Sequence, residues 1–176
     1  MKKINIIIPV YNEEDNITVI YHAIQSLKID FLVEYIFVDD GSQDKTIDIL
    51  KNLSKKNKLV KYISFSRNFG HQIALSAGLD HSDGEIVIMM DADLQHPVKY
   101  IPEMINKYKK GFNIVQMVKK DQGKRNIFIK FYSYLFYSFL RVFSDINISN
   151  NVSDFRLVDK KVIKELKKIK EKERFL

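Results

Sequence analysis

The sequence predicts an α/β fold in which a mainly parallel sheet carries helices on both faces. Apolar runs typical of buried strands alternate with helical patterns along the chain, which favours parallel strands joined by crossover helices. Polar residues cluster directly after several predicted strands, where the ligand crevice of an open α/β sheet lies. With 176 residues and no linker-like or repetitive stretch, the chain is expected to form a single domain.

The predicted elements follow this alternation. Strands are expected at residues 4–10, 33–38, 60–65, 85–90 and 113–118, and helices at residues 14–27, 44–56, 70–82 and 97–109. Asp44 is placed to cap the second helix, and Pro97 suits the first turn of the fourth. Further along the chain, residues 153–158 predict a short strand and residues 160–172 a helix.

Composition narrows the classes of function. The net charge is +7, and residues 159–174 hold eight Lys or Arg against four acids. Such a run could contact phosphates or anionic lipid, but a solvated helix face explains it equally well. No nucleic-acid-binding motif is present, so a nucleic-acid partner is not expected. The absence of cysteine excludes disulfides, and the chain starts in a predicted strand rather than a secretory signal, so a cytoplasmic location is expected.

Residues 127–143 depart from the alternating pattern, because eight of them are Phe or Tyr. The segment is too short and too charged for a transmembrane span. Two interpretations stay open: it packs onto the open side of the sheet, or it lies as an aromatic, basic helix in a membrane interface.

The most informative motif is Asp91-Ala92-Asp93, at the end of a predicted buried strand. Residues i and i+2 of an extended chain point the same way, so the two carboxylates are expected side by side, as suits Mg²⁺ or Mn²⁺. Gln95 could add a neutral oxygen ligand. A lone Asp-x-Asp often marks only a turn or a helix cap, but the apolar residues before this one favour the metal site.

Other strand ends carry candidate ligand contacts. Asp39 or Asp40 could accept a hydrogen bond from a base or ribose, and Tyr11 could stack on a base. After the third strand, Arg67 and His71 could each meet phosphate, although Arg67 could equally form a surface ion pair. No dinucleotide-binding or P-loop glycine motif is present, which disfavours a dehydrogenase or P-loop enzyme.

Five segments occur in this order along the chain: Ile8-Pro9-Val10-Tyr11-Asn12-Glu13-Glu14, Val38-Asp39-Asp40-Gly41-Ser42, Ser66-Arg67-Asn68-Phe69-Gly70, Met90-Asp91-Ala92-Asp93-Leu94-Gln95 and Ser153-Asp154-Phe155-Arg156-Leu157. In this order they resemble the polyprenyl-phosphate subgroup of family 2 glycosyltransferases, which includes dolichol-phosphate mannose synthase and bactoprenol glucosyltransferases.

The resemblance implies a GT-A fold and metal-dependent, inverting transfer of a hexose from a nucleotide sugar to a polyprenyl phosphate, undecaprenyl or dolichyl. The reaction would serve cell-surface glycan synthesis at the inner face of the cell membrane. A UDP-hexose is favoured over a GDP-hexose. Residues 1–118 would bind the nucleotide sugar, and residues 119–176 would form the acceptor side.

The resemblance also implies site residues. The nucleotide sugar would contact Pro9, Tyr11, Glu13, Val38, Asp40, Asp91, Ala92, Asp93, Lys119 and Arg156. The Mg²⁺ or Mn²⁺ ion would be held by Asp91, Asp93 and Gln95, and the catalytic candidates are Asp154 and Asp93. Lys119 stands where relatives usually have an arginine, so it keeps the charge but loses the bidentate fork.

The role of Asp154 stays open, because a phosphate acceptor is already ionised near neutral pH and hardly needs a general base. Asp154 could orient the sugar, position a basic residue or simply close a turn. Relatives continue beyond the position of Leu176, so the acceptor half is expected to be incomplete. Two alternatives follow: a nucleotide-binding remnant without turnover, or a glycosyltransferase that extends a surface polysaccharide.

Overall fold

The computed structural model describes residues 2–94, 97–118 and 152–169. The chain divides into two compact units, one formed by Met1–Gln116 with Asp154–Leu176 and the other by Met117–Ser153. Nearly all of the second unit lies outside the described residues, and with it the aromatic segment 127–143. In the described part, no helix is long and apolar enough to cross a membrane. The expectation of a single domain stays a prediction.

The described elements alternate along the chain as predicted. They are β1 Lys3–Val10, α1 Ile17–Gln25, β2 Leu32–Asp39, α2 Thr46–Lys56, β3 Val60–Ser64, α3 His71–Asp80, β4 Ile86–Met89, a 3₁₀ turn Val98–Tyr100, α4 Ile101–Lys109, β5 Ile114–Val118, β6 Val152–Asp159 and α5 Lys160–Leu166. Pro97 therefore precedes a 3₁₀ turn, and the fourth α-helix begins only at Ile101. The last helix ends earlier than predicted, at Leu166.

The six strands form one sheet in the order β3-β2-β1-β4-β6-β5. β1 pairs in parallel with β2 and β4, and β2 pairs in parallel with β3. β6 runs antiparallel to β4, with Met89 opposite Arg156. The mainly parallel arrangement is confirmed, and the strand order reverses beside β1, where the crevice of such a sheet opens.

Helices cover both faces of the sheet. On one face, Ile7, Val87 and Val158 belong to a buried cluster with Leu75 of α3 and Ile163 of α5. On the opposite face, the ring of Tyr21 from α1 contacts Tyr35 edge to face, with centroids 5.1 Å apart. Because side chains alternate along a strand, burial on both faces explains why β1, β2 and β4 are mostly apolar rather than alternately apolar and polar.

A buried polar network fixes the amino edge of the sheet. Asn5 is fully buried; its Nδ2 donates to Glu34 Oε1 (2.8 Å), and its Oδ1 accepts the Asp83 N–H (3.0 Å). Lys61 Nζ lies 2.9 Å from Glu34 Oε2, and Lys3 pairs with both Asp83 and Glu34. These contacts tie β1, β2 and β3 to the turn before β4.

Part of the basic run is used within the protein. Lys167 Nζ donates to the carbonyl oxygens of Asp80 (3.2 Å) and Ser82 (2.6 Å), at the end of α3. Lys168 pairs with Glu165 at 2.7 Å. A cation at a helix C-terminus offsets the helix dipole and satisfies terminal carbonyls, so Lys167 has a structural role at the amino edge of the sheet.

A cleft at the carboxyl edge of the sheet

A cleft of about 320 Å³ opens at the carboxyl ends of β1, β2 and β4, beside the start of α3. The polar strand ends singled out in the sequence meet here because parallel strands finish at one edge of the sheet. It is lined by Pro9, Val10, Tyr11, Glu13, Asp40, Asn68, Gly70, His71, Ala74, Asp91, Ala92 and Asp93.

The loops after β1 and β2 are joined by hydrogen bonds. The N–H of Asn12 donates to Ser42 Oγ (2.9 Å), and Asn12 Oδ1 accepts the N–H of Gln43 (2.8 Å). Asn12 adopts a left-handed backbone, φ +55°, which Asn tolerates better than most residues. This turn directs Tyr11 into the cleft mouth, where the side chain is 44% exposed.

Asp44 lies one residue before the N-cap of α2, which is Lys45 rather than the predicted Asp44, and its carboxylate joins the start of the helix to the first loop. Its Oδ1 accepts the N–H of Thr46 (2.9 Å), and its Oδ2 accepts the N–H of Glu14 (3.1 Å). Burial raises the pKa of Asp44, but the hydrogen bonds from Thr46 and Glu14 outweigh it, so the pKa is lowered. Glu13 donates its N–H to the fully buried Thr46 hydroxyl (2.8 Å), which holds Glu13 at the cleft wall.

Asp39 has a structural role. Its Oδ1 accepts the Ser42 N–H (3.0 Å) and its Oδ2 accepts the Ser64 hydroxyl (2.8 Å). The side chain is buried and both oxygens hold neighbouring segments, so of the two carboxylates at this strand end only Asp40 lines the cleft.

Asp40 anchors the loop after β3. Its Oδ1 accepts the Phe69 N–H (2.7 Å) and its Oδ2 accepts the Gly70 N–H (2.9 Å). Gly41, at φ +75°, lets the β2 turn lie against the main chain of Arg67. Each carboxylate oxygen has a second lone pair, so Asp40 can hold the loop and still accept a hydrogen bond from a ligand.

The Asp91-Ala92-Asp93 motif leaves the sheet differently from the prediction. β4 ends at Met89, and residues 92–94 form a bend with Leu94 at φ +60°, so the two carboxylates do not stand on one extended strand. Both nevertheless line the cleft, Asp91 part-buried and Asp93 exposed.

Asp91 and Asp154 face each other across the β4–β6 pair. Met89 pairs with Arg156, so Asp91 and Asp154 each lie two residues beyond the last paired residues, at the same end of the β4–β6 pair. Each is an even number of residues from strand residues that pack under α3, Met89 for Asp91 and Val158 for Asp154. Both side chains therefore lie on the α3 side of the sheet. His71, the first residue of α3, lies between them: its Nε2 is 3.4 Å from Asp91 Oδ1 and 3.5 Å from Asp154 Oδ2.

Asp154 is held from two sides. Its Oδ1 accepts a hydrogen bond from Arg156 Nη2 (2.7 Å), and its Oδ2 faces His71. The hydrogen bond from His71 and the charge of Arg156 lower the pKa of Asp154, whereas its burial opposes this shift. The hydrogen bond to Asp154 raises the pKa of His71, and the negative charge of Asp91 adds to this shift. Burial of the imidazole opposes it. A carboxylate stabilised in this way is a weak proton acceptor.

The cleft gathers most of the predicted contact residues, namely Pro9, Tyr11, Glu13, Asp40, Asp91, Ala92 and Asp93. Val38 differs: its side chain is fully buried in the core with Ile7, because strand alternation turns it toward α3. The contact between Val38 and a nucleoside stays a prediction, and the main chain of Val38 would have to make it. Gln95 and Lys119 lie outside the described residues.

Four lining residues were not among the predicted contacts: Val10, Asn68, Gly70 and Ala74. Two of them, Asn68 and Gly70, belong to the Ser-Arg-Asn-Phe-Gly motif after β3, which was the available signal. His71, a predicted phosphate contact, also lines the cleft. Arg67 of that motif stacks on the ring of Phe69, 4.5 Å from its centroid, and is not among the lining residues.

The donor set of the cleft fits a hard divalent cation. Over residues 2–94, 97–118 and 152–169, no group of three or more His, Asp or Glu side chains forms a metal cage. Mg²⁺ typically takes only one or two carboxylates and completes its octahedron with substrate phosphates and water, which matches Asp91 and Asp93. Asp91 Oδ1 is shielded from solvent and lies 3.4 Å from His71 Nε2.

The sheet order and the acid-lined crevice at its carboxyl edge define an open α/β protein of the doubly wound kind. A family model described as Glycosyl transferase family 2 matches residues 5–167, and the chain belongs to this family. The glycosyltransferase YkcC of Bacillus subtilis, described as uncharacterized, is 44% identical over 98% of this chain and 54% of its own length. The bactoprenol glucosyl transferase of Shigella phage SfV is 38% identical over 99% of this chain and 57% of its own length.

A solved structure confirms the predicted GT-A fold. Glucosyl-3-phosphoglycerate synthase from Mycobacterium tuberculosis, in complex with Mn²⁺, UDP and phosphoglyceric acid, superposes with a TM-score of 0.64. The match covers 92% of this chain and 57% of that one, at 24% identity. The chain thus spans a little more than half the length of the relatives it matches.

Proposed function

We propose that the chain forms the nucleotide-sugar half of a glycosyltransferase that moves a hexose, with inversion, from a nucleoside diphosphate sugar to a polyprenyl phosphate. The observation that carries this proposal is the cleft itself, in which an exposed aromatic ring, Tyr11, lines the same crevice as the carboxylates of Asp91 and Asp93. A flat apolar surface for a base and a cation site for a diphosphate are the two features that a nucleotide sugar requires.

On the donor side, Tyr11 stacks on the base, while Asp40 and Glu13 accept hydrogen bonds from the nucleoside. Pro9 shapes the floor beside them. A uridine nucleotide is favoured, and the UDP bound to the mycobacterial synthase, which shares the fold, supports this choice. Specific hydrogen bonds to the base would exclude guanosine, since unmatched polar groups in a closed site are costly.

Asp91 and Asp93, together with Gln95, would hold Mg²⁺ or Mn²⁺. The ion supplies neutralisation of the negative charge that develops on the departing nucleoside diphosphate. The Mn²⁺ bound to the mycobacterial synthase supports a divalent ion. Lys119, which lies outside the described residues, would add a positive charge for the phosphates without the fixed geometry of an arginine.

On the acceptor side, Asp154 orients its neighbours rather than removing a proton. Its oxygens face Arg156 and His71, and an acceptor phosphate is already ionised near neutral pH. Arg156 offers further N–H groups for that phosphate. The phage relative named bactoprenol glucosyl transferase supports a polyprenyl phosphate acceptor and hence work at the inner face of a membrane.

Calorimetric titration of the chain with UDP and GDP, each with and without Mn²⁺, tests the donor site. We expect Mn²⁺-dependent binding of UDP that Asp91→Asn weakens at least tenfold, on the order of one lost charged ligand contact. The matched control is Asp30→Asn, which removes a carboxylate that is 87% exposed at the amino edge of the sheet. Failure of UDP to bind under every condition would refute the proposal.

A further inference from the structure

His71 is the one histidine that lines the cleft in the part of the chain that the structure describes. Its main chain is fixed, because the preceding Gly70 N–H donates to Asp40 and the Gly70 carbonyl accepts the Ala74 N–H at 3.1 Å. The imidazole can therefore move only about its side-chain torsions. Its position at the start of α3 follows from the loop that Asp40 anchors.

The Nε2 atom of His71 has two carboxylates within reach and a single proton to share. Its distances, 3.4 Å to Asp91 Oδ1 and 3.5 Å to Asp154 Oδ2, exceed the usual 2.7–3.2 Å range of N–H···O hydrogen bonds. Both contacts are therefore long and weak. A small rotation of the ring would shorten one at the expense of the other, whatever the charge of the ring.

The two carboxylates belong to different halves of the reaction. Asp91 is one of the two acids proposed to hold the divalent cation, whereas Asp154 lies beside Arg156 on the acceptor side. Once a cation occupies Asp91, that carboxylate has less negative charge to offer a hydrogen-bond donor. The N–H of His71 then has a better acceptor in Asp154.

We propose that His71 is a positioning residue whose Nε2–H group changes its hydrogen-bond acceptor from Asp91 to Asp154. The change occurs when a divalent cation and nucleoside diphosphate occupy the cleft, and the proton stays on His71. The inference rests on the proposed function. Donor binding would thereby fix the Asp154 carboxylate between His71 and Arg156, and so order the acceptor side only after the donor is in place. The coupling is reciprocal: Asp154 makes release of Asp91 by His71 easier and so favours cation binding.

A double-mutant cycle on binding tests this exchange without any turnover measurement. The quantity is the dissociation constant for UDP at a fixed Mn²⁺ concentration, measured by calorimetry. With Asp154→Ala, His71 keeps its contact with Asp91 and competes fully with the cation, so affinity for UDP falls. In the His71→Ala background this competition is gone, and Asp154→Ala has a smaller effect. The two effects should differ about fivefold, within the range of one hydrogen bond to a charged group.

Conservative variants separate exchange from mere packing. Glutamine places an amide N–H near the position of Nε2, so His71→Gln should keep the coupling, whereas the shorter side chain of His71→Asn should lose it. His81→Ala serves as the matched control, because His81 is the C-cap at the other end of the same helix and its Nδ1 lies 2.8 Å from the Ala77 carbonyl. If Asp154→Ala fails to fold, Asp154→Asn, a weaker neutral acceptor, should give the same sign with a smaller difference.

The outcomes are distinct. A coupling near fivefold that His71→Gln keeps and His71→Asn loses supports the exchange. Equal effects of the Asp154 substitution in both backgrounds, with Mn²⁺-dependent UDP binding intact, overturn the inference and leave the proposed function standing. Absence of Mn²⁺-dependent UDP binding in the unsubstituted chain overturns both.

Discussion

Replacement of Gly41 by alanine should loosen the wall of the cleft. Gly41 lies in the turn after β2 at φ +75°, a conformation that side chains with a β carbon rarely adopt. A β carbon at this position would lie 2.5 Å from the carbonyl carbon of Arg67, 2.7 Å from its Cα and 2.8 Å from the nitrogen of Asn68. All three are main-chain atoms, so no side-chain rotation relieves the contact.

Two costs add in this variant. A left-handed backbone costs a residue with a β carbon about 1–2 kcal/mol. Forcing an extra carbon against neighbouring main chain costs about 1–3 kcal/mol more. Gly41→Ala should therefore lower the free energy of unfolding by about 2–5 kcal/mol. Gly111 provides the matched control, because its φ is +97° but no atom lies within 4 Å of a β carbon placed there.

Urea denaturation of the two variants, followed by circular dichroism, measures the difference. Gly111→Ala should cost only the backbone term, about 1–2 kcal/mol. Gly41→Ala should exceed it by about 1–3 kcal/mol and also weaken UDP binding, because the displaced loop carries Asn68 and His71. Equal destabilisation by the two substitutions would show that the β2 turn does not press on this loop.

Two further predictions concern buried groups. Asp40→Asn should destabilise the chain by about 1.5–3 kcal/mol, because the single oxygen of an amide cannot replace the two oxygens that accept the Phe69 and Gly70 N–H groups. The control in urea unfolding is Asp48→Asn, which changes an exposed carboxylate. Equal unfolding midpoints for the two variants would contradict the role assigned to Asp40. Burial raises the pKa of Tyr35 to about 12, so the unfolded chain loses this proton first and stability should fall between pH 10 and 12, by about 2–3 kcal/mol. Tyr35→Phe should remove this loss and the more exposed Tyr62→Phe should not, in unfolding measured across that range.

Much of the fold could be predicted because buried strands have a recognisable apolar sequence pattern. The strands β1, β2 and β4 are mostly apolar rather than alternating since both faces of the sheet are covered, and the crossover helices follow from parallel pairing. Element ends were less predictable. Helix α1 begins only at Ile17, since the Glu13 carbonyl first accepts the N–H groups of Asn16 and Ile17 in a turn.

The burial of polar residues inside the sheet could not be predicted from the sequence pattern. Asn5 and Glu34 interrupt apolar runs, yet both are buried because each is satisfied by partners distant in sequence. No local pattern reveals those partners. The register of an antiparallel strand is equally non-local, so the approach of Asp154 to Asp91 across the β4–β6 pair could not be read from spacing.

The candidate site divides in the same way. Residues in the loops that follow the strands, such as Tyr11 and Asp93, were predicted because strand ends share one edge of the sheet. Asp39 and Asp40 are adjacent and chemically identical, and only the three-dimensional partners assign Asp39 to the turn and Asp40 to the cleft wall. His71 gained its place between two carboxylates from the packing of α3.

The most direct test of the account is diffraction from crystals of this chain soaked with UDP and MnCl₂, recorded at the manganese absorption edge. We expect one anomalous peak within coordination distance of Asp91 and Asp93, about 2–2.6 Å as for hard cations, with the diphosphate against it and the base on Tyr11. UDP bound elsewhere, or manganese away from both carboxylates, would contradict the assignment of the cleft as a nucleotide-sugar site.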